Sequence, residues 1–273
     1  MTWSGNCGFL RSNRNRDHGR SENNIRTPLF FNFKKDMDKK TQKNLLALVK
    51  LNYAEIADSF SETRKHTFWP ELARLAGEVK AEDKIFDVGC GNGRLLETLV
   101  SNQQKLNYLG VDQSEELINH ARLQYPNNKF LVGDILELGE IQEINFDYVF
   151  CIAVLHHLPG ADLRVAALRQ LRNKVSNDGR IIVSVWDIWS QPKLKKLIYK
   201  FALLKIIKKN LPAGSLDFGD ILFDWKKEED GKLSRRYYHA FTKWGLKKII
   251  KKAGLKIEKI YKADNNYYAI LKK

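Results

Sequence analysis

The sequence predicts an α/β protein whose parallel sheet carries helices on both faces. From residue 84 onward, short apolar runs alternate with helical segments, which is the pattern of parallel strands joined by helices. A glycine-dense turn follows the first of these runs. The 273 residues are enough for one large domain with additions. We expect seven strands, near residues 84–88, 107–112, 128–132, 146–152, 180–186, 256–261 and 267–272.

The N-terminal residues predict a basic, disordered tail. Residues 1–40 are rich in Arg, Asn, Ser and Gly, and residues 1–36 lack periodic apolar positions. A helical pattern begins at Leu45 and continues to Ile56. Met37 is the only methionine after Met1, which raises the hypothesis that translation starts there. We therefore expect a tail over residues 1–40 and one domain over residues 41–273.

The turn after the first strand predicts a site for a nucleotide-like cofactor. Its glycines are spaced Gly-x-Gly-x-Gly, and a helix follows directly. Such a turn lets the backbone approach a bulky ligand closely. A dinucleotide needs its pyrophosphate at a helix N-terminus, whereas S-adenosylmethionine has no phosphate, so this spacing favours S-adenosylmethionine. We assign to its amino-acid end the residues Asp87, Gly89, Cys90, Gly91 and Gly93.

Polar residues at the next two strand ends extend this predicted site. Asp112 follows an apolar run about 20 residues after the last glycine, where ribose hydroxyls are usually bound, and Gln113 comes next. Asp134 ends the third strand and predicts an acceptor for the adenine amino group, with Ile135 packing on the ring. An ordinary turn with two helix-capping aspartates is the alternative. The joint spacing favours a ligand site.

Residues about 190–235 predict a basic insertion before the last strands. Within it, residues 193–211 form an amphipathic helix in which Leu197 and Phe201 alternate with lysines. Such a helix packs on the sheet with its lysines outward, contacts RNA phosphates or lies on an anionic membrane, and we rank these uses in that order. After the insertion, an Asp-Asn-Asn turn at 264–266 predicts an antiparallel final strand.

Charge and cysteine content limit the function classes. The formal net charge is +15, and residues 190–273 hold 22 Lys/Arg against 8 Asp/Glu. This surplus predicts a surface for polyanions, with nucleic acid first, although a solvated lysine-rich surface has the same composition. The three cysteines lack paired spacing, so we expect no disulfide, no metal site and a reducing, cytoplasmic setting. The sequence also contains neither a long uncharged apolar run nor a signal-peptide pattern.

The chain resembles the class I methyltransferases that act on the wobble uridine of tRNA. The segments that carry the resemblance are Tyr-Ala-Glu-Ile-Ala at 53–57, Phe-Ser-Glu-Thr-Arg at 60–64, Trp-Pro at 69–70, the glycine turn at 87–93, Ile-Ala-Val-Leu-His-His at 152–157, Arg-Arg-Tyr-Tyr-His at 235–239 and Gly-Leu at 245–246. The resemblance implies a Rossmann-like seven-stranded class I methyltransferase sheet, here with the basic amphipathic insertion. It also implies S-adenosylmethionine as cofactor, a tRNA anticodon stem-loop as substrate and a carboxymethyl group on uridine as methyl acceptor. Family members often need a small zinc-binding activator subunit.

The resemblance also assigns cofactor residues outside the glycine turn. It implies that Tyr53 and Arg64 close over the methionine end of the cofactor, with Arg64 pairing with its carboxylate. Ile152 ends the fourth strand, where methyltransferases commonly present residues to the methyl group. These assignments are independent of the glycine spacing.

On the substrate side, the resemblance points to two pairs of neighbouring residues and one arginine. His156 and His157 are candidates near the methyl acceptor, although a helix start with one packed ring is an equal alternative. Arg236, Tyr238 and His239 are expected to receive the modified base, with Arg236 orienting its carboxylate. A buried Arg-Tyr cluster with a purely structural role is the alternative.

Two other functions remain open from the sequence. One is a methyltransferase of a small or lipid-like acceptor, with the lysine-rich helix in peripheral contact with a membrane. The other is a non-catalytic RNA-binding protein that keeps the fold. Single-stranded wobble bases suit aromatic stacking, for which Trp186, Trp189, Tyr237 and Tyr238 are candidates, although Trp beside a strand is more often part of the core.

Overall fold

A computed structural model describes residues 37–63, 69–100, 106–207, 216–226 and 233–273. Residues 1–36 of the predicted tail and Arg64 lie outside the described residues. The strands of the described part are β1 Lys84–Val88, β2 Asn107–Asp112, β3 Lys129–Val132, β4 Phe146–Ile152, β5 Val175–Trp186, β6 Asp220–Lys226, β7 Leu233–His239, β8 Lys256–Ala263 and β9 Asn266–Lys272. Its α-helices are α1 Lys39–Thr63, α2 Pro70–Ala76, α3 Arg94–Val100, α4 Glu115–Gln124, α5 Ala161–Lys174, α6 Pro192–Ile207 and α7 Lys243–Lys252.

Seven of these strands form one sheet in the order β3-β2-β1-β4-β5-β9-β8. Strands β1 to β5 are parallel, whereas β9 pairs antiparallel with both β5 and β8. The predicted seven-stranded sheet and its antiparallel final strand are thus confirmed. The strand order reverses between β1 and β4, and ligands of open α/β sheets bind at such a reversal, outside the carboxyl ends of the strands.

Apolar side chains cover both faces of the sheet. Val149 of β4 lies in a buried cluster with residues of α5 and α7, while its neighbour Phe150 lies in a second cluster with residues of α2, α3 and α4. Successive residues of a strand point to opposite faces, so a strand covered on both sides is apolar at nearly every position. This explains why the apolar runs were readable in the sequence.

The predicted tail ends earlier than residue 40. Helix α1 begins at Lys39 because Asp38 caps it: the Thr41 backbone N–H donates to Asp38 Oδ1 at 2.9 Å. Met37 is buried in one apolar cluster with Tyr237 of β7. The folded part of the chain therefore includes residues 37–40.

The predicted insertion contains a second sheet that sequence analysis missed. Strands β6 and β7 pair antiparallel as a separate two-stranded sheet. Helix α6 packs its apolar face, including Ile198, against Ile221 of β6 and Tyr238 of β7. The predicted helix over 193–211 is observed as α6, and residues 208–211 lie outside the described part. The sequence ranked packing of this helix, with its lysines outward, as its first use. The helix does pack in this way, but against the β6–β7 hairpin and not against the main sheet.

No helix in the described part of the chain combines the length and apolar composition that crossing a membrane requires. Within the described ranges, no three His, Cys, Asp or Glu side chains are arranged to hold a metal ion.

Candidate active site

A cleft opens at the carboxyl ends of β1 to β4, where the strand order reverses. It is walled by the glycine turn after β1, by α1 on one side and by the segment after β4 on the other. Trp69 and Trp186 also line it. The sequence-predicted residues that line the cleft are Tyr53, Asp87, Gly89, Cys90, Gly91, Asp112, Gln113, Asp134, Ile135, Ile152 and His157.

The glycine turn has little room for side chains. Gly89 has φ +76°, and a Cβ added there would lie 2.2 Å from Cγ2 of Val154, a residue that lines the cleft. Its amide donates to the Val111 carbonyl of β2 at 2.7 Å, which holds the turn against the neighbouring strand. Gly93 does not line the cleft; it has φ +81°, and an added Cβ would meet the Tyr125 ring at 3.0 Å. The predicted ligand contact of Gly93 is therefore replaced by a packing role.

Asp112 is fixed by two backbone amides. The Gly91 N–H donates to Oδ2 and the Ser114 N–H donates to Oδ1, both at 2.9 Å. Burial raises the pKa of Asp112 above its usual value, although these hydrogen bonds oppose that rise. Each carboxylate oxygen keeps a lone pair for a ligand donor. Asp112 therefore joins the glycine turn to α4 and presents a preoriented acceptor to the cleft.

Asp134 and Ile135 form the far wall of the cleft. The Leu136 N–H donates to Asp134 Oδ1 at 2.9 Å, which fixes the carboxylate at the end of β3. Ile135 is buried and lines the cleft beside it. An acceptor next to an apolar surface suits the amino group and flat face of a purine ring.

Asp87 is a buried carboxyl at the base of the cleft. Tyr108 Oη donates to its Oδ2 at 2.9 Å. Burial raises the pKa of Asp87 to about 7, and the negative charge of Asp112 adds to the rise. A cation bound in the cleft would favour the ionised form and lower this pKa again. Asp87 is thus placed to bind a positively charged ligand.

We expect Asp87→Asn to stabilise the ligand-free chain at alkaline pH. Because the folded pKa is about 7 and the reference value is 3.8, the wild type loses stability as pH rises through this interval. Asparagine keeps an acceptor for Tyr108 and removes the buried charge. We expect its unfolding free energy to exceed that of the wild type by about 3 to 4 kcal/mol at pH 8, and by much less at pH 4.

Urea unfolding of both chains between pH 4 and pH 8 measures this difference. Asp147→Asn is the matched control, because Asp147 accepts a hydrogen bond from the Lys84 amide at the other end of the sheet. Equal stability of Asp87→Asn and the wild type at pH 8 would show that Asp87 carries no burial penalty.

A second, smaller cavity lies behind the cleft. Its walls come from α1, from the segment after β4 and from β7. Val49, Tyr53 and His157 line both spaces, and Tyr53 Oη lies 2.7 Å from His157 Nε2. This hydrogen-bonded pair therefore separates the cleft from the cavity. The sequence-predicted substrate residues that line the cavity are His157, Arg236 and Tyr238.

Asn52 fixes the two walls of this cavity to each other. Its Nδ2 donates to the Arg235 carbonyl at 2.6 Å, and its Oδ1 accepts from Ser234 Oγ at 2.7 Å. Both contacts join α1 to β7, next in sequence to Tyr53 and Arg236. Sequence analysis missed Asn52, because its partners lie more than 180 residues away.

His156 is a packing residue rather than part of either space. It is fully buried, and its ring lies 4.9 Å from the Trp186 ring and 5.5 Å from the Tyr238 ring. Tyr238 also stacks on Trp186 and Phe223, at 5.0 and 5.4 Å. Both histidines are buried, and of the two only His157 lines the cleft.

His239 also lies away from both spaces, contrary to its prediction as a substrate residue. Its Nδ1 lies 2.6 Å from Oδ1 of Asp220. Burial and the nearby Arg164 together lower the pKa of His239 to about 4, although Asp220 acts in the opposite direction. The imidazole is therefore neutral at pH 7 and donates from Nδ1 to the carboxylate.

Asp220 is the centre of this buried polar network, which sequence analysis missed. It accepts from Tyr237 Oη at 2.9 Å and lies 3.5 Å from Nη2 of Arg164. Burial acts to raise the pKa of Asp220, but its bond to His239 and its other partners outweigh burial and lower it. Arg164 Nε also donates to the carbonyl of Leu158, which lines the cleft. The network therefore ties the β6–β7 hairpin to the cleft wall.

The two spaces have different chemistry. The cleft combines an apolar lining with Asp87, Asp112 and Asp134, which suits a ligand with a cationic group, hydroxyls and an amine. Arg236 lines the cavity, and an arginine side chain suits an anion. The pair Tyr53–His157 stands where two such ligands would meet.

Comparisons with known proteins agree with this geometry. A family model described as "Methyltransferase domain" matches residues 86–181, which include the glycine turn, strands β2 to β4 and parts of β1 and β5. The chain is also similar in structure to an S-adenosylmethionine-dependent methyltransferase from Methanosarcina mazei, with a TM-score of 0.56 and 17% identity over 76% of this chain and 98% of the other. At that identity the structural likeness concerns the fold.

Curated relatives add a more specific likeness. A putative methyltransferase of Encephalitozoon cuniculi is 29% identical over 223 residues, which are 81% of this chain and 93% of the relative. A Saccharomyces cerevisiae protein named tRNA (carboxymethyluridine(34)-5-O)-methyltransferase is 33% identical over 136 residues, which are 50% of this chain and 47% of the relative. The chain thus spans about half the length of that yeast relative. The resemblance stated from the sequence is confirmed.

Proposed function

We propose that this chain, which contains a methyltransferase domain and has the class I methyltransferase fold, is an S-adenosylmethionine-dependent tRNA methyltransferase. The acceptor is the carboxylate of a carboxymethyl-type modified wobble uridine, and the product is a methyl ester. The observation that carries the proposal is the pair of spaces that meet at Tyr53 and His157, one with three carboxylates and one with Arg236. The names of curated relatives support it.

The residues of the cleft fit S-adenosylmethionine. A Cβ at Gly89 would meet Val154, so the turn leaves a bare backbone surface on which an extended ligand can lie. Asp112 would hold the ribose hydroxyls and Asp134 the adenine amino group, while Asp87 would face the ammonium group of the amino-acid end. S-adenosylmethionine supplies a methyl group bonded to a positively charged sulfur.

Arg236 would orient the acceptor in the second cavity. An unperturbed carboxylic acid titrates near pH ~4, so the acceptor is already ionised at neutral pH and needs no general base. Arg236 would bind the carboxylate oxygen that does not react, since a full clamp on the reacting oxygen would stabilise the ground state more than the transition state. Tyr53 and His157 would exclude water and align the acceptor.

This arrangement predicts a flat pH profile. At saturating S-adenosylmethionine, we expect the rate of transfer to stay within about twofold between pH 6 and pH 9, because no side chain has to remove a proton. Single-turnover rates with tRNA that bears carboxymethyluridine measure this dependence. A steep rise through pH 7 would instead assign a base role to His157.

The partners in the proposal are a tRNA anticodon stem-loop and a small zinc-binding activator subunit. The activator is part of the proposal because of the family resemblance. Strand β3 forms one edge of the sheet, and its Val132 is 49% exposed, so this edge offers an apolar residue to a subunit. A cytoplasmic location follows from the substrate. Activity of the chain produced alone and together with a candidate activator tests this dependence.

Nucleoside mass spectrometry tests the proposed function. tRNA from cells with and without the gene is digested, and wobble uridines are compared. We expect the methyl ester to disappear and the free carboxymethyl nucleoside to accumulate when the gene is deleted. Unchanged levels of both nucleosides would contradict the proposal.

A further inference from the structure

The outer face of α6 carries lysines and exposed aromatic rings side by side. Lys193, Lys196 and Lys200 lie on one face at helical spacing and are exposed. Tyr199 shares this face and is 56% exposed. We define the aromatic–lysine patch as these four residues together with Trp189 and Phe218.

The opposite face of α6 is already buried. Ile198 is 1% exposed, and Leu194, Leu197 and Phe201 pack around it against the hairpin. A helix that lies on a membrane inserts its apolar face between lipids. Over residues 192–203, whose side chains the structure describes, the hairpin covers that apolar face, and the lysine-bearing side is the exposed one.

The aromatic rings of the patch are held in place. Trp189 Nε1 donates to the Ala240 carbonyl at 3.1 Å, which anchors the indole to the segment after β7. Its ring lies 6.1 Å from the Tyr199 ring and 6.0 Å from the Phe218 ring. Phe218 is 56% exposed. Large exposed rings that are fixed by their neighbours are the usual platforms for unstacked bases.

The patch is continuous with the candidate active site. Trp189 lies in the short 3-10 helix Ile188–Ser190, which directly follows β5 and Trp186. Trp186 lines the cleft. Trp186 also stacks on Tyr238, which lines the second cavity. A strand of RNA whose target base reaches that cavity would therefore have its neighbouring nucleotides near this surface.

We propose that the aromatic–lysine patch binds the single-stranded nucleotides that flank the target base of the substrate RNA. Tyr199 and Phe218 stack on bases, and the lysines of α6 contact phosphates. Every charged residue of α6 is a lysine, which complements a polyanion. This inference rests on the proposed function and adds the surface that selects RNA over a small acceptor.

The lysines are tested by charge reversal in the full chain. The variant Lys193→Glu/Lys196→Glu/Lys200→Glu is compared with Lys251→Glu/Lys252→Glu/Lys256→Glu, a matched set of exposed lysines in α7 and β8. Binding of a fluorescent anticodon stem-loop RNA is measured from low to high salt. We expect the patch variant to lose affinity more than tenfold and its log–log salt slope to fall by about two, since roughly 0.7 counterions are released per contacted phosphate of a single strand.

The aromatic rings are tested separately. Tyr199→Ala and Phe218→Ala are each expected to weaken RNA binding about tenfold without changing the salt slope, because stacking releases no counterions. The wild type, the patch variant and the control are also sedimented with vesicles of phosphatidylserine and phosphatidylcholine. Patch-dependent vesicle binding with unchanged RNA affinity would overturn the inference in favour of a lipid surface.

The two proposals can fail separately. If the wild type esterifies tRNA and the patch variant matches the control in RNA affinity, salt slope and kcat/KM, the patch inference is wrong and the proposed function stands. If RNA binding depends on the patch but no methyl group is transferred, the proposed function is wrong and the surface assignment stands.

Discussion

Gly89→Ala is expected to lower the affinity for S-adenosylmethionine about 100-fold. The left-handed backbone at φ +76° costs a non-glycine residue about 1–2 kcal/mol. The new Cβ would also lie 2.2 Å from Val154 Cγ2, so the turn or the segment after β4 must move. Forced repacking of this kind costs about 1–3 kcal/mol. Both effects distort the glycine turn and the segment after β4, the two walls between which the cofactor is proposed to lie.

Calorimetric titration with S-adenosylmethionine measures this loss. Gly139→Ala is the matched control, because a Cβ there would meet no atom within 4 Å. We expect the control to bind like the wild type. Thermal unfolding of both variants shows whether the loss comes from the site or from a general loss of structure. Affinity of Gly89→Ala within threefold of the wild type would contradict the role given to the turn.

The second large effect is expected from Arg236→Ala, which should lower kcat about 100-fold. Arg236 lines the small cavity and is absent from the lining of the cleft, so cofactor affinity should be unchanged. A hydrogen bond to a charged group contributes about 1.5–3 kcal/mol. Misplacing the acceptor by about 1 Å lowers the rate about 100-fold, which is an effect of the same size. Arg236→Lys should recover only part of the rate, because an ammonium lacks the planar fork that fixes a carboxylate.

The neighbouring arginine provides the control for this test. Arg235 lies on the same strand, and its guanidinium pairs with Asp224 at 2.8 Å on an exposed surface. Arg235→Ala keeps the same change in charge while leaving the cavity intact. Single-turnover transfer to carboxymethyluridine tRNA is measured for both. Equal rates for the two variants would remove Arg236 from the mechanism and leave the cavity without its proposed ligand.

Much of the fold could be predicted because its signals are local. Most strands of the seven-stranded sheet contain a short apolar run that the sequence shows directly, whereas the edge strand β8 alternates charged residues with Ile and Tyr. Both faces of the sheet are covered. The glycine turn is also local, since Gly89 and Gly91 need their backbone freedom within one short segment. Asp112 and Asp134 were found because parallel strands place their ends at one edge.

The missed features depend on contacts between distant segments. The β6–β7 hairpin lies in a stretch that its lysines marked as an insertion, although residues 221–223 form a short apolar run between Asp220 and Asp224 as in a strand. Asp220 is bound by Arg164, 56 residues earlier in the chain. Spacing along the sequence gives no sign of that pairing.

The sequence could not show which of two adjacent, identical residues reaches the site. His156 and His157 have the same side chain, yet only the second reaches the cleft. Arg235 and Arg236 differ in the same way, because successive residues of a strand point to opposite faces. The register of β7 decides which arginine faces the cavity, and that register depends on pairing with β6 and on the contacts of Asn52.

The central claim is that the acceptor atom is a carboxylate oxygen of a modified wobble uridine. The most direct measurement transfers a radiolabelled methyl group from S-adenosylmethionine to tRNA that bears carboxymethyluridine, followed by mild alkali. The account predicts that alkali releases the label as volatile methanol, because a methyl ester is hydrolysed under these conditions, and that tRNA with unmodified uridine takes up no label. Label that survives alkali, or equal labelling of both tRNAs, would contradict it.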